Sequence, residues 1–242
     1  MHGLGRLRTT FLTLLLLGFC GTSVRAGESY YLLIFGSQSQ PKKLRDCHTW
    51  ATFVKAVGEG TDPANYVLEA NTISWVPASL DVKVWNPRAV PGMNMGLEQT
   101  LDWVTSHNEK ITIWGPFRIG QALYQRSLEV RSTLEGGTVQ YRAIDDAANL
   151  LISDCIHALA AVDPQFGRGH YPLIRIGNSA SRHIAKQLKS RSLVDQTVSD
   201  NQWLVPRLGL CRYPIEIVPP SQIPGRVNHE SADPAMVQRL AR

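Results

Sequence analysis

The sequence predicts an α+β fold: a small antiparallel sheet with helices packed on it. Three observations lead there. An aromatic and aliphatic run, YYLLIFGS at 30–37, is followed by two β-rich runs at 48–57 and 66–76 with a turn cluster between them. Amphipathic helical periodicity starts only after residue 96. No GxGxxG follows a strand and no GxxxxGK[ST] occurs anywhere, so a doubly wound nucleotide-binding fold is not expected.

Ahead of the fold, residues 1–26 have the layout of a secretory signal peptide. Arg6 and Arg8 make a basic start, Phe11 to Phe19 an apolar run, and Val24 and Ala26 occupy the small-residue positions before a cleavage site. The run is much shorter than the ~20 apolar residues of a membrane span. Export is therefore expected (periplasmic, secreted or held at the cell envelope), with no transmembrane segment after cleavage. Arg6, Arg8 and Arg25 leave with the leader, so 22 of the 25 basic residues remain against 20 acidic ones, a net charge of +2. That balance, without a run of five or more Lys and Arg, argues against nucleic acid as a partner.

The first strand is YYLLIFGS, apolar throughout as a buried strand is. HTWATFVKAV, 48–57, is rich in β-branched and aromatic residues and reads as the second. GEGTDPAN is a turn cluster, and YVLEANTISWV, 66–76, returns as an antiparallel partner that Pro77 ends. LDVKVWNP, 80–87, is a further short strand, and PGMNMG a loop. Leu97, Leu101 and Val104 recur at helical spacing. ITIWGPF, 111–117, is strand-like up to Pro116. GQALYQRSLEVRSTLEGG, 120–137, is a helix stopped by Gly136 and Gly137. TVQYRAI, 138–144, alternates as a strand, and a short helix begins near Ser153. YPLIRIG, 171–177, is strand-like and ASRHIAKQLKSRSL a basic amphipathic helix. Residues 27–217 form one domain, and 218–242, rich in proline and polar residues, a loose tail.

Cys155 is the first candidate for chemistry. With Ser153 as N-cap and Asp154 in the first turn, its thiol lies near the unpaired N–H groups of a helix start, which favour a thiolate. Asp154 opposes that. A nucleophilic cysteine needs a base, and His48 is the best placed, at the rigid start of a strand. Asn71, on the returning strand, is positioned to hold its imidazole in one tautomer. Alternation then sends Cys47 away from His48 and out of the site. There is no CxxC and no His/Cys cluster at zinc-like spacing, so neither a metal nor another cofactor is expected.

A histidine opening a strand, followed later by a cysteine at a helix start, is the order of circularly permuted papain-like enzymes. The chain resembles the lecithin retinol acyltransferase-like branch of the NlpC-type cysteine hydrolases, which carries Asn-Cys-Glu-His-Phe at its nucleophile. Here the stretch is Asp154-Cys155-Ile156-His157-Ala158, matching at the cysteine and the histidine. It is also similar to a group of exported bacterial proteins with HTxATFVK, TISWxP and CIHA motifs. The resemblance implies a permuted papain-like fold and a thiol hydrolase or acyltransferase. Cys155 would attack an amide or ester carbonyl, His48 would take the thiol proton and Asn71 would orient His48. A cell-wall peptide or a lipid ester is the implied substrate.

Two other readings of Cys155 stay open: a packed thiol, or half of a disulfide with Cys47 or Cys211. With either goes a different function, a non-catalytic envelope protein that binds a peptide, glycan or protein. Tryptophans 75, 85, 103, 114 and 203 are its candidate lining. GNSAS, 177–181, sits where a serine nucleophile elbow would, but lacks the second glycine.

Overall fold

The computed structural model describes residues 27–60, 62–145, 149–163, 175–195 and 201–224. The expected leader, 1–26, and residues 225–242 of the expected tail lie outside these, as does most of the expected strand at 171–177. The fold is α+β. Strands β1 (Gly27–Gln38), β2 (Cys47–Gly58) and β3 (Val67–Ile73) form an antiparallel meander. Short strands β4 (Trp75–Pro77) and β5 (Val90–Asn94) lead to helix α1 (Leu97–Ser106). Strand β6 (Lys110–Ile119) and helix α2 (Gln121–Glu135) follow, then the two-residue strands β7 (Gln140–Tyr141) and β8 (Ile152–Ser153). Helices α3 (Cys155–Ala160), α4 (Asn178–Ser190) and α5 (Leu204–Arg207) and strand β9 (Ile215–Val218) complete the described chain.

The main sheet has the order β3-β2-β1-β6-β9, antiparallel except where β9 runs beside β6. A smaller sheet, β4-β5-β7-β8, flanks it. Both faces of the main sheet are covered, which is why β1 is apolar on consecutive residues. Tyr30, Leu32 and Ile34 face one layer, built with α2, α3 and α4. Tyr31, Leu33 and Phe35 face the other, built with α1 and α5. Strand β6 serves both layers through one extra residue. Ile113 faces the α1 layer, but between Trp114 and Phe117 the register against Ile34 and Leu32 shifts by one, and Phe117 and Ile119 point to the opposite layer. Gly115, at φ 119°, absorbs this bulge, and the bulge accommodates Pro116 inside a strand.

Several expectations change, among them the single strand at 66–76, which is β3 and β4 in different sheets, and the end of β6, which lies at Ile119 rather than Pro116. Residues 80–87 form turns, while the strand comes from Val90–Asn94, expected as a loop. Gly92 is there because the Trp75 indole of the neighbouring strand fills the place of a Cβ. The alternating run at 138–144 pairs only at Gln140–Tyr141. The chain beyond residue 217 is placed as far as 224: a turn at Pro220–Gln222 is held by Lys189 Nζ, which donates to the Pro220 and Ile223 carbonyls at 2.7 and 2.6 Å. No helix among the described residues is long and apolar enough to cross a membrane.

Helix α4 lies directly on β1 at Gly36, where a Cβ would come within 2.9 Å of the Asn178 Cα. Gly36→Ala is therefore expected to destabilise the fold by about 1–3 kcal/mol through overpacking against backbone, read as a lower urea midpoint.

Candidate functional site

Strand β2 begins Cys47-His48-Thr49-Trp50, and its pleat sends these residues alternately to the two layers. His48 goes to the α1 layer. Its Nε2 lies 2.9 Å from Ser74 Oγ, which is itself 2.9 Å from Thr100 Oγ1 of α1. Its ring stacks on Trp50 at 5.2 Å, Trp50 stacks on Phe35 at 5.0 Å, and Trp103 closes the stack edge-on at 5.6 Å from His48. Burial in this apolar stack disfavours the charged ring and pushes its pKa down to about 3. His48 is thus a neutral packing residue.

Cys155 goes to the other layer. It opens α3, which packs on β2 with Ile156, Ala158 and Leu159 in the core of that face. The sheet separates it from the His48 imidazole. Asn71 does not serve His48 either: opposite Phe53 in the ladder, it donates to Ser127 Oγ at 2.8 Å. Ser74, three residues on, is the partner His48 has. The expected constellation of Cys155, His48 and Asn71 is not assembled. The reasoning that Cys47 and His48 diverge holds, but the faces are exchanged, and Cys47 is the residue that shares a space with Cys155.

That space is a cavity of about 320 Å³. Its wall is mainly apolar, lined by Leu44, Val82, Val84, Trp85, Ala143, Ile144 and Ile156, with Tyr141. Cys47, Cys155, Asp154 and His157 also line it. Trp85 is 78 % exposed and Leu44 48 % exposed. Of the five tryptophans expected as a lining, only Trp85 is here; Trp75 is buried, Trp114 donates to Ser181 Oγ, and Trp103 and Trp203 pack in the α1 layer.

The polar corner is a network. Asp154, not Ser153, caps α3: its Oδ1 accepts from the His157 backbone N–H at 2.7 Å. The His157 Nδ1 lies 2.7 Å from Asp145 Oδ1 and 3.4 Å from Asp154 Oδ1. Asp145 Oδ2 also accepts from the Asp154 backbone N–H at 3.2 Å. Burial opposes charge on His157, but hydrogen bonds to Asp145 and Asp154 outweigh it and hold its pKa up to about 10. One ligand atom from each of Asp145, Asp154 and His157 lies within 4.8 Å of the others. A cation there would have to displace the His157 proton, and the short Nδ1–carboxylate separation suits the protonated ring better.

Cys155 is half-buried by surface, yet protein surrounds the thiol. Burial first, then the Asp154 carboxylate, push its pKa well above the ordinary thiol range, and the facing Thr49 backbone amide offsets only part of this. Burial likewise pushes Cys47 up to about 11. Both thiols are neutral near pH 7. His157 shares the cavity, but a protonated imidazole has no lone pair with which to accept a thiol proton. The sequence did not point to Asp145, although the DD of AIDDAAN was its available sign, and it left Cys47 and Cys211 as equal partners for Cys155; only Cys47 shares the cavity.

The two histidines give stability opposite pH slopes. His48, about 3 folded against 6.5 ordinarily, contributes stability present above 6.5 and lost as pH falls toward 3. His157, about 10 folded, contributes stability present below 6.5 and lost as pH rises through 10. His48→Gln is expected to flatten the acid side of a urea-midpoint-versus-pH curve, and His157→Gln the alkaline side.

Comparison of the chain with family models, curated proteins and solved structures finds no match.

Proposed function

We propose that this protein, exported as its leader implies, binds an aliphatic or aromatic group in the Cys155 cavity and does so without catalysis. The observation that carries this is the cavity itself: about 320 Å³, walled by apolar side chains, with an exposed tryptophan at its edge. That is the size and character of a site for a small apolar ligand or a peptide side chain. Trp85 and Leu44, both exposed and both lining the cavity, offer apolar area that a ligand would remove from water. In the polar corner the imidazolium is engaged by two carboxylates, so the corner orients a ligand more than it attacks one. The Cys155 thiol lacks a low pKa, and His157, the one histidine among the described residues that lines the cavity, is not a neutral base; a cysteine nucleophile requires both.

The test uses N-phenyl-1-naphthylamine, an apolar probe whose fluorescence rises on leaving water. Saturable binding is expected, lost in Ala143→Phe, which fills the cavity, and kept in His48→Gln. Displacement by long-chain alcohols identifies a lipid-like ligand, and displacement by apolar tripeptides a peptide. Absence of saturable binding overturns the proposal. So does turnover of p-nitrophenyl acyl esters that disappears in Cys155→Ser, which would restore a hydrolase or acyltransferase on amides or esters.

A further inference from the structure

We infer that Cys47 and Cys155 are a dithiol that closes into a disulfide across the cavity floor when an external disulfide is supplied. Three observations converge. Both cysteines are free and both line the same cavity. Cys47 and Thr49 project to the same side of β2, two residues apart, and the Cys155 thiol meets the Thr49 backbone amide. That places the Cys155 sulfur within about one strand repeat, roughly 7 Å, of the Cys47 position. Cys211 stands apart, exposed beside Leu210 of the α1 layer, across the main sheet.

Cys47 has one interaction to surrender. Its Sγ donates to the Lys43 carbonyl at 3.1 Å, at the turn that precedes β2. Rotation about its Cα–Cβ bond breaks that contact and swings the sulfur into the cavity. The cavity also gives a small disulfide its path in, past Leu44 and Trp85.

The order of events follows from the two thiols. Burial raises Cys47 less than Cys155, so Cys47 is the more available thiolate. With oxidised glutathione as oxidant, Cys47 loses its proton to solvent and attacks one glutathione sulfur. The glutathione S–S bond breaks, a Cys47–glutathione disulfide forms, and one glutathione thiolate leaves and is protonated. Cys155 then loses its proton and attacks the Cys47 sulfur. The Cys47–Cys155 bond forms and the second glutathione leaves. Two protein thiols are oxidised and one glutathione disulfide is reduced to two thiols. The product removes two thiols whose ionised forms the site disfavours, so it is expected to resist reduction.

The experiment is incubation of the purified chain with oxidised glutathione, alkylation of remaining thiols, and non-reducing peptide mass spectrometry. A linked Cys47–Cys155 peptide is expected, with Cys211 outside the link. Cys155→Ser is expected to hold glutathione on Cys47, and Cys47→Ser to leave Cys155 alkylatable over the same time. A Cys47–Cys211 or Cys155–Cys211 link, a stable glutathione adduct on Cys47 in the wild-type chain, or alkylation of both Cys47 and Cys155 after prolonged oxidation overturns the inference. The connectivity is read from the wild-type chain and does not depend on what the cavity binds.

Discussion

The pleat of β2 is the constraint on which the other features depend. A strand buried on both faces must divide its side chains between two cores, and CHTWATF does so residue by residue. Cys47, Thr49, Ala51 and Phe53 go to the layer of α2, α3 and α4, and His48, Trp50 and Thr52 to the layer of α1. A one-residue slip of this strand would exchange the two sets and put an imidazole where the thiols meet. What forbids the slip is bulk. Trp50 is fully buried between Phe35 and His48, and a slip would pull it out of that stack.

The same division explains why two histidines in one small protein hold opposite charge states. His48 has an aromatic stack and one hydroxyl about it, which can stabilise only a neutral ring. His157 has two carboxylates within 3.4 Å, which recover the desolvation cost of an imidazolium. Asp145 connects the ring to the Asp154 amide, so the helix start, the cap and the ion pair are one unit. Cys155 is held in this unit by its neighbours on the chain, and the nearest charge to it is a carboxylate. An arrangement that protects an imidazolium this well is a poor one for making a thiolate.

Much of this was legible in the amino-acid sequence. The apolar run of β1, the β-branched run of β2, its antiparallel return and the periodicity of α1, α2 and α4 each depend on local pattern, and each is where the pattern puts it. The failures are non-local. Alternation shows that Cys47 and His48 diverge, but which of them meets α3 depends on the side of the sheet to which a helix a hundred residues later returns. Asn71 was a reasonable partner for His48 by strand position; the register places it opposite Phe53, on the wrong face. PGMN looks like a loop because glycine and proline break strands, but Gly92 is a clearance for Trp75, visible only once β4 and β5 are side by side. Asp145 lies ten residues before Cys155 in sequence, and only the fold brings it to the imidazole of His157.

A sheet with a separate core on each face has a consequence for how such a chain can change over time. The His48–Trp50–Phe35 stack and the Cys47–Cys155 cavity share strands but few side-chain neighbours, so substitutions in one layer should combine with those in the other nearly additively. The α1 layer can then act as ballast, holding the fold above its threshold while residues around the cavity drift. Lineages carrying this architecture would be expected to keep their aromatic stack and diversify their pocket, and to acquire new binding preferences without renegotiating the fold.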